Sequence, residues 1–201
     1  MYLLLFIKKG EGKMKKKLVS GLVMISMIMT LVGCGSEAGN KNAIAAKADA
    51  NGNYVVNGSF EEVDFTGWTV NNVNDVTEEL DIYTRETDCY DGVQSLHFYS
   101  GSSEVNFTAE QTLTGLEDGT YKLTGYVQGD TAGDANSSVY IYATVNGETM
   151  KADTTLSGYV AWNCAELSGI EVSGGEITIG VSVTNAAGGW GTIDNITLVK
   201  E

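Results

Sequence analysis

Proline is absent from the 201 residues, histidine and arginine each occur once, and cysteine occurs three times. Without proline, no turn rests on a cis X–Pro bond. A single histidine excludes multi-histidine metal centres and leaves little room for histidine-based catalysis. Basic side chains are scarce, 12 against 26 acidic ones, for a formal net charge of −14. That balance argues against a nucleic acid partner, because phosphate binding needs clustered Lys and Arg. Long apolar runs are lacking as well: Leu18–Val32 is about 15 residues, short of the roughly 20 that span a bilayer. What is abundant is glycine, at 25 residues, with Asn, Thr, Ser and Asp; 43% of the chain is hydrophobic. This composition predicts one packed domain of turn-rich β structure.

The N-terminus reads as an address. Met14-Lys15-Lys16-Lys17 precedes the apolar run, which ends in Leu31-Val32-Gly33-Cys34, the order of a secretory signal. The final four residues resemble the lipobox of bacterial lipoproteins, which implies lipidation of Cys34 and a membrane anchor outside the cytoplasm. Gly10-Glu11-Gly12 is compatible with a purine-rich ribosome-binding run, so Met14 is the expected start. Residues 1–33 hold six of the basic groups and one acidic group, leaving 6 against 25 and a net charge of −19 in the mature chain. A chain so anionic is held at a membrane by acyl chains rather than by anionic lipid. Residues 34–53 read as a flexible tether and 54–201 as the folded domain. With Cys34 lipidated, Cys89 and Cys164 remain, as a disulfide or as a free pair.

From Tyr54 onward, short alternating segments recur: Gln94–Ser100, Val105–Leu113, Tyr121–Asp130, Ser138–Val145, Glu176–Asn185 and Ile193–Lys200. Turn residues separate them, and Asn146-Gly147 after Val145 is a hairpin signal. Short strands at this spacing predict a β-sandwich or jelly roll. Alternation assigns Val139, Ile141, Ala143 and Val145 to the core with Tyr140 and Tyr142 opposite. It likewise places Leu96 and Phe98 inside with His97 and Tyr99 outside, and Val127 inside with Tyr126 and Gln128 outside. Glu176–Asn185 shows an ordinary Thr and Ser face instead.

An aromatic, amide-bearing sheet face suits sugars, whose C–H faces stack on rings and whose hydroxyls need planar hydrogen-bonding partners. Cross-strand aromatic pairing that only stabilises the sheet is the alternative. Trp162 and Trp190 sit in glycine- and tyrosine-rich, loop-like surroundings and are expected as ligand contacts, whereas Trp68 is expected to cap the core. Tyr159, Gln128, His97 and Arg85 complete the expected contact set.

Val56-Asn57-Gly58-Ser59-Phe60-Glu61 with Gly67-Trp68, and Trp190 through Ile196, resemble the two ends of a carbohydrate-binding-module jelly roll. Ser95–Ser100, Leu116–Leu123 and Ala186–Gly191 are similar to family 61 modules, which accompany family 53 arabinogalactan endo-β-1,4-galactanases. The resemblance covers residues 54–201 and implies an all-β, galactose-binding-domain-like jelly roll that binds β-1,4-galactan. It also implies a structural calcium ion held by Glu61 and Asp194 at the two ends of the domain. Tyr99 stands where these modules often have Trp, which keeps stacking but changes the surface offered to the sugar. No catalytic domain follows Glu201, so the expectation is a stand-alone binder or the front part of a galactanase.

Two rival classes differ in what they require. A jelly-roll glycosidase needs paired carboxylates in its cleft, and the outward faces deduced above carry none. An adhesion lipoprotein would use the same tyrosine-rich face on a protein partner. The favoured expectation is a monomeric, lipid-anchored, non-catalytic polysaccharide binder.

Overall fold

Alternation in Ser138–Val145 is borne out residue by residue: Val139, Ile141, Ala143 and Val145 are buried, and Tyr140 and Tyr142 lie on the opposite side. The computed structural model describes residues 42–62, 64–73 and 80–201. Residues 1–41, with Met14, the expected signal and Cys34, lie outside the described residues.

Among the described residues, eleven strands make two sheets. They are β1 (Ile44–Ala45), β2 (Thr69–Asn72), β3 (Leu80–Tyr83), β4 (Ser95–Tyr99), β5 (Val105–Thr114), β6 (Gly119–Asp130), β7 (Ser138–Val145), β8 (Glu148–Thr154), β9 (Gly158–Val172), β10 (Glu176–Asn185) and β11 (Trp190–Lys200). One sheet runs β1-β5-β10-β7-β8, with β2 also paired to β5; the other runs β3-β4-β11-β6-β9. Apart from the parallel β1–β5 pair, neighbours are antiparallel. The inward sets of both sheets form one core, with Phe98 and Phe107 meeting across it at 5.9 Å. Among the described residues no α-helix occurs, and the one helical turn is a 3-10 turn at Glu86–Asp88.

All six expected strands are present. Asn146 and Gly147 take φ of 51° and 83°, the left-handed pair of a two-residue hairpin turn. Trp68 is buried, stacks on Phe60 at 5.5 Å and donates its indole N–H to Asn57 O at 2.9 Å.

The tether reading is corrected for residues 42–53. Ile44–Ala45 pairs with Leu113–Thr114, and Asn53 Oδ1 accepts from the N–H groups of Val55 (3.0 Å) and Leu198 (2.9 Å). Two residues that pack on the core, Ile44 and Ala46, the Ala46 N–H bond to Thr114 O (2.7 Å) and the Asn53 amide hold this stretch, too short a run to show a period in sequence. Trp162 and Trp190 are likewise strand residues, in β9 and at the start of β11. β9 is an edge strand whose pairing with β6 shifts register twice, which erases clean alternation.

The two ends of the domain meet at a bulge in β11 between Asp194 and Thr197, where Asn195 has φ 47°. Ile196 N–H donates to Gly58 O at 2.9 Å, and a side chain at residue 58 would begin 2.0 Å from Ile196 O. Glycine is required there by close approach of two backbones.

Candidate carbohydrate-binding cleft

The outer face of the five-stranded sheet is crossed by residues 84–94, which join β3 to β4. Beneath this segment Gln128, Thr192, Ser95 and Asp194 are fully buried, although alternation points them away from the core. Gln128 Nε2 donates to Thr87 O at 2.9 Å, and Gln128 Oε1 accepts from Val160 N–H. Val160, a β-branched residue, is held at φ 58°, a conformation that persists only when neighbours enforce it. The Tyr159 hydroxyl in turn donates to Thr87 Oγ1 at 2.6 Å. One buried amide therefore fixes both the crossing segment and the start of β9.

Between these two walls lies a cleft of about 250 Å³, lined by Tyr83, Arg85, Asp88, His97, Tyr99, Tyr159 and Trp190. Tyr99 and Trp190 are paired in register across β4 and β11, and Trp190 faces Tyr159 with ring centroids 6.2 Å apart. The turn before Trp190 is tied down by Gly188 N–H donating to Ser100 O at 2.6 Å. The cleft is thus walled by rings mounted on strands and fastened turns.

Its polar groups come as oriented pairs. His97 lies flat against Tyr83, centroids 3.6 Å apart, and its Nδ1–H donates to Asp81 Oδ1 at 2.8 Å. Burial holds His97 below its ordinary pKa of 6.5, with the Asp81 hydrogen bond and charge opposing. The imidazole is therefore neutral at pH 7, with Nε2 as its acceptor. Arg85 Nε lies 3.4 Å from the buried Asp88 carboxylate, and its guanidinium sits 5.7 Å from the centre of the Tyr83 ring. The Arg85 side chain is 66% exposed, so its remaining N–H donors are open to a ligand.

Five of the ten expected contacts converge here: Arg85, His97, Tyr99, Tyr159 and Trp190. The other five are elsewhere. Gln128 is under the cleft with both amide ends occupied, which makes it a positioning residue. Tyr126 stacks on Tyr90 at 3.6 Å with 13° between planes, and Trp162 meets Tyr90 at 5.6 Å and 71°. Tyr140 and Tyr142 belong to the six-stranded sheet, on the opposite outside of the sandwich. Alternation says only that a residue points outward, and the two sheets of a sandwich have two outsides. Tyr83 and Asp88 were not anticipated. Tyr83 shares a two-residue alternation with Asp81 in Leu80–Tyr83, a strand of only four residues, while Asp88 is placed by a helical turn that periodicity does not reveal.

Glu61 and Asp194 both grip the crossing segment directly. Glu61 Oε1 accepts from Val93 N–H (2.8 Å) and Gln94 N–H (2.9 Å). Asp194 Oδ2 accepts from Tyr90 (2.6 Å) and Asp91 (3.0 Å), and its Oδ1 from Asn195 (2.6 Å). Burial pushes the Asp194 carboxyl up to about 7 against these three hydrogen bonds. Gly92 packs on Glu61 so closely that a Cβ there would lie 2.1 Å from Oε1. Beside Glu61, the Gln94 amide end lies 2.9 Å from Phe60 O and 3.1 Å from Glu62 O. With nitrogen turned toward them it donates to both. Among the described residues no cluster of three or more His, Cys, Asp or Glu side chains is arranged to hold a metal. Cys89 and Cys164 are free thiols in the structure.

The fold is that of carbohydrate-binding β-sandwich modules. The chain is similar to TmCBM61, solved in complex with β-1,4-galactotriose, with a TM-score of 0.67 and 24% identity over 74% of this chain and 99% of the other. It is also similar to a family 16 carbohydrate-binding module (TM-score 0.50, 17% identity, 73% and 99% covered). A third similar structure is the K1 adhesin domain of Lys-gingipain from Porphyromonas gingivalis W83 (TM-score 0.53, 12% identity, 71% and 96% covered). No family model matches the chain, and no curated protein matches it.

Proposed function

We propose that this chain is a non-catalytic carbohydrate-binding module whose cleft holds a neutral polysaccharide of the β-galactan type. The observation that carries this reading is the cleft itself. Rings from Tyr99, Tyr159 and Trp190 line it together with the Arg85–Asp88 ion pair and with His97, whose Nδ1 is held by Asp81. Rings supply stacking surface for pyranose C–H faces, and the pairs supply donors and an acceptor for hydroxyls. Asp81 and Asp88 each hold a partner side chain, which is not the arrangement of two unpaired carboxylates facing across a glycosidic bond. The formal net charge of −14 disfavours a polyanionic glycan. Similarity in fold to a galactotriose-bound module supports galactan as the first ligand to try.

Titration calorimetry with β-1,4-galactotriose and with soluble galactan tests this. Wild type is expected to bind in the micromolar to millimolar range, about −8 to −4 kcal/mol. Trp190→Ala should weaken binding by roughly ten- to hundredfold, the loss of about 1.5–3 kcal/mol of ring contact. Binding unaffected by this change would place the site elsewhere; no binding to any polysaccharide would favour the adhesion alternative.

We further propose that the module is tethered outside the cytoplasm through lipidated Cys34 and that calcium is held at Glu61 and Asp194. The lipobox-like sequence supports the first, and the resemblance of the two chain ends to calcium-clamped modules supports the second. Release of a Cys34→Ala variant into the soluble fraction, and a lower Tm on adding chelator, are the expected results. Unchanged fractionation or unchanged Tm would remove each proposal in turn.

A further inference from the structure

The aromatic residues that fall outside the cleft are not scattered. Asp194 and Tyr126 are paired in register across β11 and β6, one outward row beyond Thr192 and Gln128 and two beyond Trp190 and Asp130. Tyr90 lies on Tyr126, and Trp162 stands at its side. Tyr90 is 43% exposed.

Two observations distinguish this group from ordinary cross-strand packing. First, Tyr90 is not a strand residue. The crossing segment carries it over the sheet, and the buried Asp194 fixes its N–H and that of Asp91. An exposed ring is thus held rigidly, which lowers the entropy lost when a ligand stacks on it. Second, the same segment carries Arg85 and Asp88 into the cleft, so the two aromatic groups are continuous on one face. From Trp190 to Asp194 the rise along β11 is roughly 13 Å at about 3.3 Å per residue, the length of a short oligosaccharide.

We propose that Tyr90 and Trp162 form a second sugar-stacking subsite, so that this face holds a run of several pyranose units rather than one residue or a chain end. This rests on the polysaccharide reading of the cleft. Its ligand is the continuation of the same neutral chain, leaving the cleft over the crossing segment. Tyr126 contributes from beneath by supporting Tyr90.

Indole N–H resonances of the intact protein test the inference without altering the fold. Trp190 reports the cleft, Trp162 the second subsite, and Trp68, whose indole is bonded to Asn57 O, serves as the silent control. Adding β-1,4-galactotriose should move Trp190 alone, and β-1,4-galactohexaose should move Trp190 and Trp162. The hexaose should also bind about tenfold more tightly, a gain that Trp162→Ala removes while the affinity for galactotriose is unchanged. Trp190 moving while Trp162 ignores the hexaose would overturn the second subsite and leave the cleft reading intact. Trp162 responding to the triose as strongly as Trp190 would overturn the division into two subsites. If neither indole responds to either sugar, both readings fall.

Discussion

On the outer face of the six-stranded sheet, Tyr142 lies across Gly180 and donates its hydroxyl to Glu110 Oε2 at 2.7 Å, while Tyr140 carries the Lys151 ammonium 4.8 Å from its ring centre. On the outer face of the five-stranded sheet, Tyr99, Tyr159 and Trp190 stand around a cleft. The same residue types, pointed outward by the same alternation, make a flat ornamented surface in one place and a recess in the other. What separates them is the segment at residues 84–94. It crosses only the second face, is fastened from below by Gln128 and Asp194, and supplies the wall that a flat sheet lacks. Hydroxyl pairs such as Thr112 with Thr178 and Thr144 with Thr149, each 2.8 Å apart, satisfy the first face internally.

Gln128 offers the strongest way to break this comparison. Gln128→Leu keeps the volume approximately but leaves Thr87 O and Val160 N–H without their buried partner. Each unsatisfied group costs about 1–3 kcal/mol, so stability should fall by about 2–5 kcal/mol and Tm by roughly 10 °C. Galactotriose binding should weaken by about tenfold or more, because Tyr159 and the Arg85–Asp88 pair lose their common support. If calorimetry shows the lower stability with undiminished sugar affinity, the crossing segment is not what makes the recess.

Gly180→Ala is the reciprocal change on the other face. An added Cβ would lie 2.5 Å from Tyr142 Cζ and 2.8 Å from Ala109 O. The ring can swing away, but the backbone oxygen cannot, and overpacking of this kind costs about 1–3 kcal/mol. Denaturant unfolding should show that loss while affinity for galactotriose stays at the wild-type value. A parallel loss of affinity would move the site to the six-stranded sheet.

These two residues also show how far the sequence could be read. Strand alternation placed Gln128, Tyr126, His97, Tyr140 and Tyr142 outside the core, and every one of them is outside it. Alternation carries no information about which sheet a strand joins, because that depends on pairings such as Val181 with Ile141 and Trp190 with Tyr99, far apart in the chain. It is equally silent on what a loop covers. Outward alternation therefore makes Gln128 look like a ligand contact, whereas the 84–94 segment and Val160 claim its amide. Tyr83 and Asp88 carry no periodic signal, because a four-residue strand and a single 3-10 turn are too short for any period. The resemblance of the two chain ends links Glu61 to Asp194; their shared grip on residues 90–94 exists only in three dimensions.

The smallest effect concerns protonation, and it separates the faces by chemistry rather than by shape. Among the aromatic residues on either outer face, His97 alone titrates near neutrality. It is buried against Tyr83 and faces Asp81, with Asp88 and Arg85 also acting on its charge; burial outweighs the two carboxylates and lowers its pKa below 6.5. The unfolded chain therefore takes up the proton first as pH falls. Stability contributed by the neutral ring is fully present above about pH 6.5 and is lost as pH drops through that value toward the lower folded-state pKa. Because protonation also turns Nε2 from acceptor to donor, sugar affinity should change over the same interval. Protonation of Asp194, whose folded carboxyl is pushed up to about 7, adds stability over the same interval, so the His97 contribution is the difference between two Tm profiles taken from about pH 7.5 to about pH 5: wild type should lose Tm relative to His97→Gln as pH falls, since glutamine does not titrate. A variant whose Tm profile and sugar affinity both follow wild type across that range would mean that His97 takes no part in what distinguishes the cleft face.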